Sequence, residues 1–279
     1  MDVIWDASLI WPSLLWISAA LAAGMAAAWV VQRLSGNSGW VDTIWSFTTG
    51  AGGVAAALVP AAGAVHIRQI VVAILITLWA GRLGLHIASR ARHGGDDPRY
   101  AAMAEQWGKL WPAYLFVFLE IQAAASMVLV LAVRLAAANP APFPAATDVA
   151  GMALLVIAVA GETAADGQLR RFARTNKGAV CDIGLWRYSR HPNYFFEWLG
   201  WCAWAVIAID PSHPLSFMAL GAPGLMYVLL VHVSGIPPLE AHMLATRGER
   251  FRAYQATTSA FFPAPRRTAP ITVKQGKPS

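Results

Sequence analysis

Apolar residues run in seven stretches long enough to cross a bilayer, and polar residues enter those stretches at helical spacing. The stretches are approximately Leu9–Val31, Val41–Val59, Ile67–Ala88, Trp111–Leu135, Val149–Ala165, Tyr194–Ile209 and Leu215–Val233. The fifth and sixth are short, which a tilted helix or a locally thinned bilayer accommodates. Abundant Ala and Gly in these runs favour close helix packing. The pattern predicts an all-α integral membrane protein of seven transmembrane helices, with cytoplasmic loops and an amphipathic C-terminal helix over Pro238–Ala256. Residues 1–263 read as a single membrane domain, and 264–279 as a basic, disordered tail.

Within the apolar runs, polar residues line up on single helix faces. Pro192 stands where a helix would begin, since a proline at the first helical position loses no needed N–H. Behind it, Asn193, Glu197, Trp201 and Trp204 share one face. On the third stretch, Trp79, Arg82, His86, Arg90 and His93 form a second stripe. On the fifth and its extension, Glu162, Asp166, Arg170 and Arg174 stand four apart, acid before base, as helix-supporting pairs do. Asp42 opens the second stretch. All four sets lie toward the same side of the membrane, which points to one deep polar site. Ionisable groups inside membrane helices are functional candidates by default.

Charge sets the orientation. The chain has 279 residues, is 57% hydrophobic and only 13% charged, against roughly 25% in soluble domains. Its net charge of +6 would suggest nucleic acid in a soluble protein. Here the positive-inside rule accounts for it: with the N-terminus outside, eighteen Lys and Arg fall on the cytoplasmic side and only Arg68 and Arg134 outside. That places the chain in a bacterial-type cytoplasmic membrane, C-terminus inside, with the polar site opening to the cytoplasm. Cys181 and Cys202 form no CxxC pair, and the histidines form no HExxH or repeated histidine box. No metal and no nucleic acid are expected as partners, and a monomer in the bilayer is the expected state. There is no GxGxxG, P-loop or GxSxG either, so a bound nucleotide would be held by helix ends, arginines and aromatics of the bundle itself.

Each stripe also has a plainer reading. Gly184–Trp204 could be a membrane helix with a basic flank. Arg82 could snorkel, Asp166 and Arg170 could be a solvated pair, and Glu120 and Gln122 could bond neighbouring helices. Asp96–Tyr100 could be a capped loop.

GLWRYSRHPNYFFEWLGW, from Gly184, resembles the C-terminal signature of the steroid 5α-reductase family and its bacterial relatives grouped as a domain of unknown function. VDTIW from Val41, RLGLHIASRARHGGDDPRY from Arg82, SGIPPLE from Ser234 and TTSAFFP from Thr257 are similar to that bacterial group. The resemblance, over roughly Val41–Pro263, implies an enzyme that binds NADPH in a cytoplasm-facing cavity and reduces the Δ4 double bond of a 3-oxo-steroid or similar lipophilic enone. It implies that Asn193 and Glu197 contact the nicotinamide side and Asp166 the ribose-phosphate part. Arg170, Arg171 and Arg174 are the candidates for the phosphates, and Arg82, Arg90 and Arg92 match further basic positions. Tyr188, Arg190, His191, Tyr194 and Glu240 complete the expected cofactor-binding set. In the catalytic set, Asp42 matches the acid that polarises the substrate ketone, beside Glu197, while Trp79 stands where the family has a tyrosine. An indole donates one hydrogen bond but cannot titrate. RHPNY also resembles a motif of membrane methyltransferases such as the isoprenylcysteine carboxyl methyltransferases, which use S-adenosylmethionine. The remaining alternative is a lipid-binding membrane protein without catalysis.

Overall fold

The computed structural model describes residues 7–61, 64–94 and 96–268. It is 81% helical, without a strand among the described residues. The helices are α1 (Ala7–Ser35), α2 (Gly39–Leu58), α3 (His66–Gly94), α4 (Pro98–Trp107), α5 (Trp111–Ala138), α6 (Ala146–Thr175), α7 (Pro192–Ala208), α8 (Gly221–Val228), α9 (Ile236–Arg247) and α10 (Glu249–Thr257). Five helical stretches are long and apolar enough to cross a membrane: Pro12–Ser35, His66–His93, Pro98–Ala138, Ala146–Thr175 and Pro214–Arg247. Large apolar side chains such as Trp16, Ile74, Leu78, Leu85 and Val156 are exposed on these helices, as lipid contact requires.

α2 lies along α3, α6 lies along α7, and α5 reaches both pairs. Small residues allow the close approaches. A Cβ on Gly50 would come within 2.2 Å of Ala80, and one on Gly151 within 2.3 Å of Ile207. The buried core at these contacts includes Ile76, Trp79, Leu155, Trp201, Trp204 and Ile207.

One end of the bundle is closed by two arginines. Arg68 is fully buried and donates to Asp148 through Nε (2.8 Å) and Nη2 (2.6 Å), and to the carbonyls of Asn139 and Ala141. Arg134 donates to the Val59 and Pro60 carbonyls at 2.6 and 3.2 Å. Both satisfy carbonyls that the ends of α2 and α5 leave unpaired. Asn139 adds a bond to the Ile207 carbonyl at 2.8 Å, bringing the end of α7 to the same place.

Three stretches differ from the sequence pattern. The connection between the third and fourth apolar stretches is largely helical: α3 runs on to Gly94, and Asp97 caps α4 by accepting from the Arg99 N–H, with Pro98 in the first turn. The fifth apolar stretch, which ends at Ala165, continues ten residues further as α6 to Thr175, carried by the acid–base ladder. The single helix expected over Pro238–Ala256 is two, α9 and α10. Gly248 separates them at φ +53°, a left-handed conformation that glycine adopts without penalty. Of the tail, residues 264–268 are described: the Ala264 N–H donates to the Tyr188 carbonyl at 3.0 Å and the Arg267 N–H to the Thr257 carbonyl at 2.8 Å. Residues 269–279 lie outside the described residues.

Candidate functional site: an arginine among three buried carboxylates

The polar stripes of α3, α6 and α7 meet at Arg82. Its Nη1 lies 2.5 Å from Glu162 Oε1, and its Nη2 donates to Asp166 Oδ2 at 2.6 Å. Asn193 Nδ2 donates to Asp166 Oδ1 at 3.3 Å, and His86 Nε2 stands 3.4 Å from Asp166 Oδ2. Glu197 closes the inner side by accepting from two indoles, Trp79 Nε1 at 3.2 Å and Trp201 Nε1 at 2.9 Å. The two indole rings pack edge to face, 5.1 Å apart. Glu162, Asp166 and Glu197 are all buried.

Local sequence explains how these groups arrive together. Pro192 does begin α7, so Asn193 sits in its first turn and Glu197 in its second. Glu162 and Asp166 are one turn apart on α6, and Arg82 and His86 one turn apart on α3. Glu162 stands thirteen residues before the end of α6, about 20 Å of helix at 1.5 Å per residue. The site is therefore deep. Arg170, Arg171 and Arg174 continue the α6 stripe to the surface, exposed and outside every ion pair among the described residues. Arg90 and Arg92 are exposed at the matching end of α3, with Arg90 3.6 Å from Asp97 Oδ2.

Other expected site residues are placed elsewhere. Asp42 is engaged by Arg99, and accepts from the Tyr100 hydroxyl at 2.9 Å. Arg99 also holds Asp97 (2.9 Å), and that pairing keeps the Asp97 carboxyl below its usual range despite burial. So Asp42 belongs to a strap between α2 and α4, while the Trp79 N–H is committed to Glu197. Arg190, His191 and Glu240 form a second cluster. Arg190 makes a bidentate pair with Glu240 (2.7 and 3.1 Å), and His191 Nε2 meets Glu240 Oε1 at 2.9 Å. Gln255 Nε2 donates to Glu240 Oε2 at 2.7 Å, and Arg190 Nη1 donates to the Thr258 carbonyl at 2.5 Å. This joint ties the start of α7 to α9 and α10. Tyr194 stacks on His191 at 5.6 Å, and the Tyr188 side chain is exposed.

Residues 28–258 match a protein family described as of unknown function, DUF1295. The chain belongs to DUF1295. No curated protein and no solved structure matches it. Within this DUF1295 chain the matched stretch spans the Arg82 cluster, the Asp42 strap and the Glu240 joint together. The described residues of the DUF1295 chain contain no group of three or more His, Cys, Asp or Glu arranged to hold a metal ion.

Two members of the Arg82 cluster were visible in the sequence only as ladder positions. Glu162 and His86 carry the right spacing, four residues from Asp166 and from Arg82, but only the fold shows that both ladders end on one guanidinium. The Asp42 partners, 57 and 58 residues away, leave no local trace.

Proposed function

We propose that this DUF1295 protein is an NADPH-dependent membrane reductase, related to the steroid 5α-reductases, that saturates the Δ4 double bond of a 3-oxo-steroid or a similar lipophilic enone. The observation that carries the reading is the meeting of Arg82, Asp166, Asn193 and Glu197 in one buried cluster. These are four of the residues that the reductase resemblance marks for the cofactor.

The order of charges along α6 fits a dinucleotide entering nicotinamide first. Carboxylates lie deep, and unpaired arginines stand at the mouth, where phosphates would lodge. When bound, NADPH would supply hydride. Asn193 and Glu197 would orient its nicotinamide end, Asp166 the ribose, and Arg170, Arg171 and Arg174 the phosphates. The acid-rich interior also separates this reading from methyl transfer. Buried carboxylates favour a reaction in which positive charge grows on the bound cofactor. Hydride donation leaves a cationic nicotinamide, whereas methyl donation discharges a sulfonium. Trp79 and Trp201 would wall the site and exclude water, and a bilayer-embedded position suits a substrate that arrives through lipid. Asp42 would act through the Arg99 strap, holding α4 against α2.

The reading places α2 and α7 in the bilayer beside the five longer stretches, giving seven spans in a cytoplasmic membrane, with the N-terminus outside and the C-terminus inside. Its direct test is the nucleotide that co-purifies with the detergent-solubilised protein, followed by NADPH oxidation with a 3-oxo-Δ4-steroid. NADP(H) in the extract and steroid-dependent oxidation are expected. S-adenosylmethionine or S-adenosylhomocysteine in the extract would favour the methyltransferase, and no nucleotide the non-enzymatic protein.

A further inference from the structure

We propose that a cavity between α10 and the connection from α6 to α7 binds a small, singly charged organic anion, a carboxylate on a compact apolar body. This site stands apart from the Arg82 cluster and does not depend on the reductase reading.

The cavity measures about 330 Å3 and opens at the surface. Small-molecule sites start near ~300 Å3 and combine an apolar lining with a few polar groups. Three segments enclose this one. α10 presents Arg250, Ala253, Tyr254 and Thr257, which stand at i, i+3, i+4 and i+7 and so share one face. Residues 179–182 form the facing wall, and Arg266 closes the third side from the C-terminal segment. Backbone bonds hold that segment in place, from the Ala264 N–H to the Tyr188 carbonyl and from the Arg267 N–H to the Thr257 carbonyl.

The charges select the ligand. Arg266 Nη2 donates to the Asp182 carboxylate at 2.7 Å and to the Asp182 carbonyl at 3.2 Å. Both bonds use one nitrogen, which leaves the other N–H groups of that guanidinium for a ligand. Arg250 makes no hydrogen bond or ion pair with any described residue. Two guanidiniums and one carboxylate leave one positive charge in excess, which a single negative charge balances. A phosphate monoester brings up to about two negative charges and would leave an excess beside Asp182. A planar carboxylate also matches a guanidinium with two parallel bonds. Between the charged groups, Val180, Ala253 and the Tyr254 ring offer apolar surface. The Tyr254 hydroxyl is spent on the Trp186 and Ser189 carbonyls, and that of Thr257 on carbonyls of its own helix. Recognition therefore falls to the arginines.

α10 also holds the start of α7, through Gln255 on Glu240 and Tyr254 on the Trp186 carbonyl. A ligand clamped between α10 and residues 179–182 tightens this joint, so its binding is readable as a rise in melting temperature.

The test is thermal melting of the full chain in detergent, with benzoate as probe. Benzamide, of the same shape without the charge, and inorganic phosphate serve as comparisons. Benzoate should raise the melting temperature of the wild type, and the other two should not. Arg250→Gln should raise the benzoate concentration needed for a half-maximal shift about tenfold, the loss of one charge-assisted contact. Ala253→Phe, which fills the cavity and leaves its charges alone, should abolish the shift. Arg252→Gln should retain it, because Arg252 lies outside the lining and pairs with Glu249. No shift with benzoate, an equal shift with benzamide or phosphate, or an undiminished shift in Arg250→Gln and Ala253→Phe would overturn the site. The benzoate shift should persist at saturating NADPH; its disappearance there would make the cavity part of the nucleotide site and overturn a separate ligand. A benzoate response of the expected pattern in a protein that does not bind NADPH would leave this site standing and remove the reductase.

Discussion

Removing the Arg82 guanidinium would leave Glu162, Asp166 and Glu197 facing one another with no cation in contact. Breaking a buried pair by deleting one partner typically costs ~3–5 kcal/mol. Arg82→Met is expected to lower thermal stability by that order, measured in detergent, and Arg82→Lys to recover part of it. Unchanged stability in Arg82→Met would mean that the acids find other partners. At this scale the sequence was informative where contact follows from spacing. Asn193, Glu197 and Trp201 had to share a face once Pro192 started the helix, and the bond from Trp201 to Glu197 is an i, i+4 contact. It was uninformative where partners come from distant helices. Asp42 and Trp79, both in the catalytic set the resemblance implies, are engaged by Arg99 and Tyr100 in one case and by Glu197 in the other.

Helix boundaries show the same division. The start of α7 was readable from one proline, and the α6 ladder from its four-residue spacing. The break between α9 and α10 was not, because one glycine inside a polar helical pattern is compatible with continuity. Gly248→Ala places a Cβ at φ +53° and is expected to destabilise by about 1 kcal/mol; a neutral result would show that α9 and α10 can fuse. The joint at the start of α7 brings a pH dependence. Burial lowers the His191 pKa, against the pull of Glu240, so the folded state holds this proton less readily than the unfolded chain. Stability is then fully present above the unfolded value, about 6.5, and falls as pH drops below it toward the depressed folded value. Melting temperatures at pH 7.5 and 5.5 should differ in that direction, and the difference should shrink in His191→Gln, which still offers Glu240 a donor. An unchanged slope in the variant would assign the effect to other groups.

For the whole molecule, the uneven distribution of Lys and Arg carries the topology. Reporters active only in the periplasm should work when fused to the N-terminus and fail at Ser279, with the reverse for cytoplasmic reporters. A periplasmic reporter working at Ser279 would invert the orientation and detach the site from its cytoplasmic supply of nucleotide. The all-helical membrane class was legible from hydropathy alone, since a bilayer admits few ways to satisfy the backbone. Arg68 and Arg134 were legible only as two cations at one end; their burial among carbonyls of α2 and of the α5–α6 connection depends on helices meeting that the sequence does not place. The central claim is that the Arg82 cluster and the α6 arginines form one nucleotide site, and ligand-dependent melting tests it most directly. A ligand that binds only the folded state stabilises by about 2.7 kcal/mol at a hundred times its Kd. NADPH should raise the melting temperature of the wild type and do so much less in Asp166→Ala and Glu197→Gln, while S-adenosylmethionine should leave all three unchanged. A rise with S-adenosylmethionine and none with NADPH, or a full NADPH response in both variants, would contradict the account.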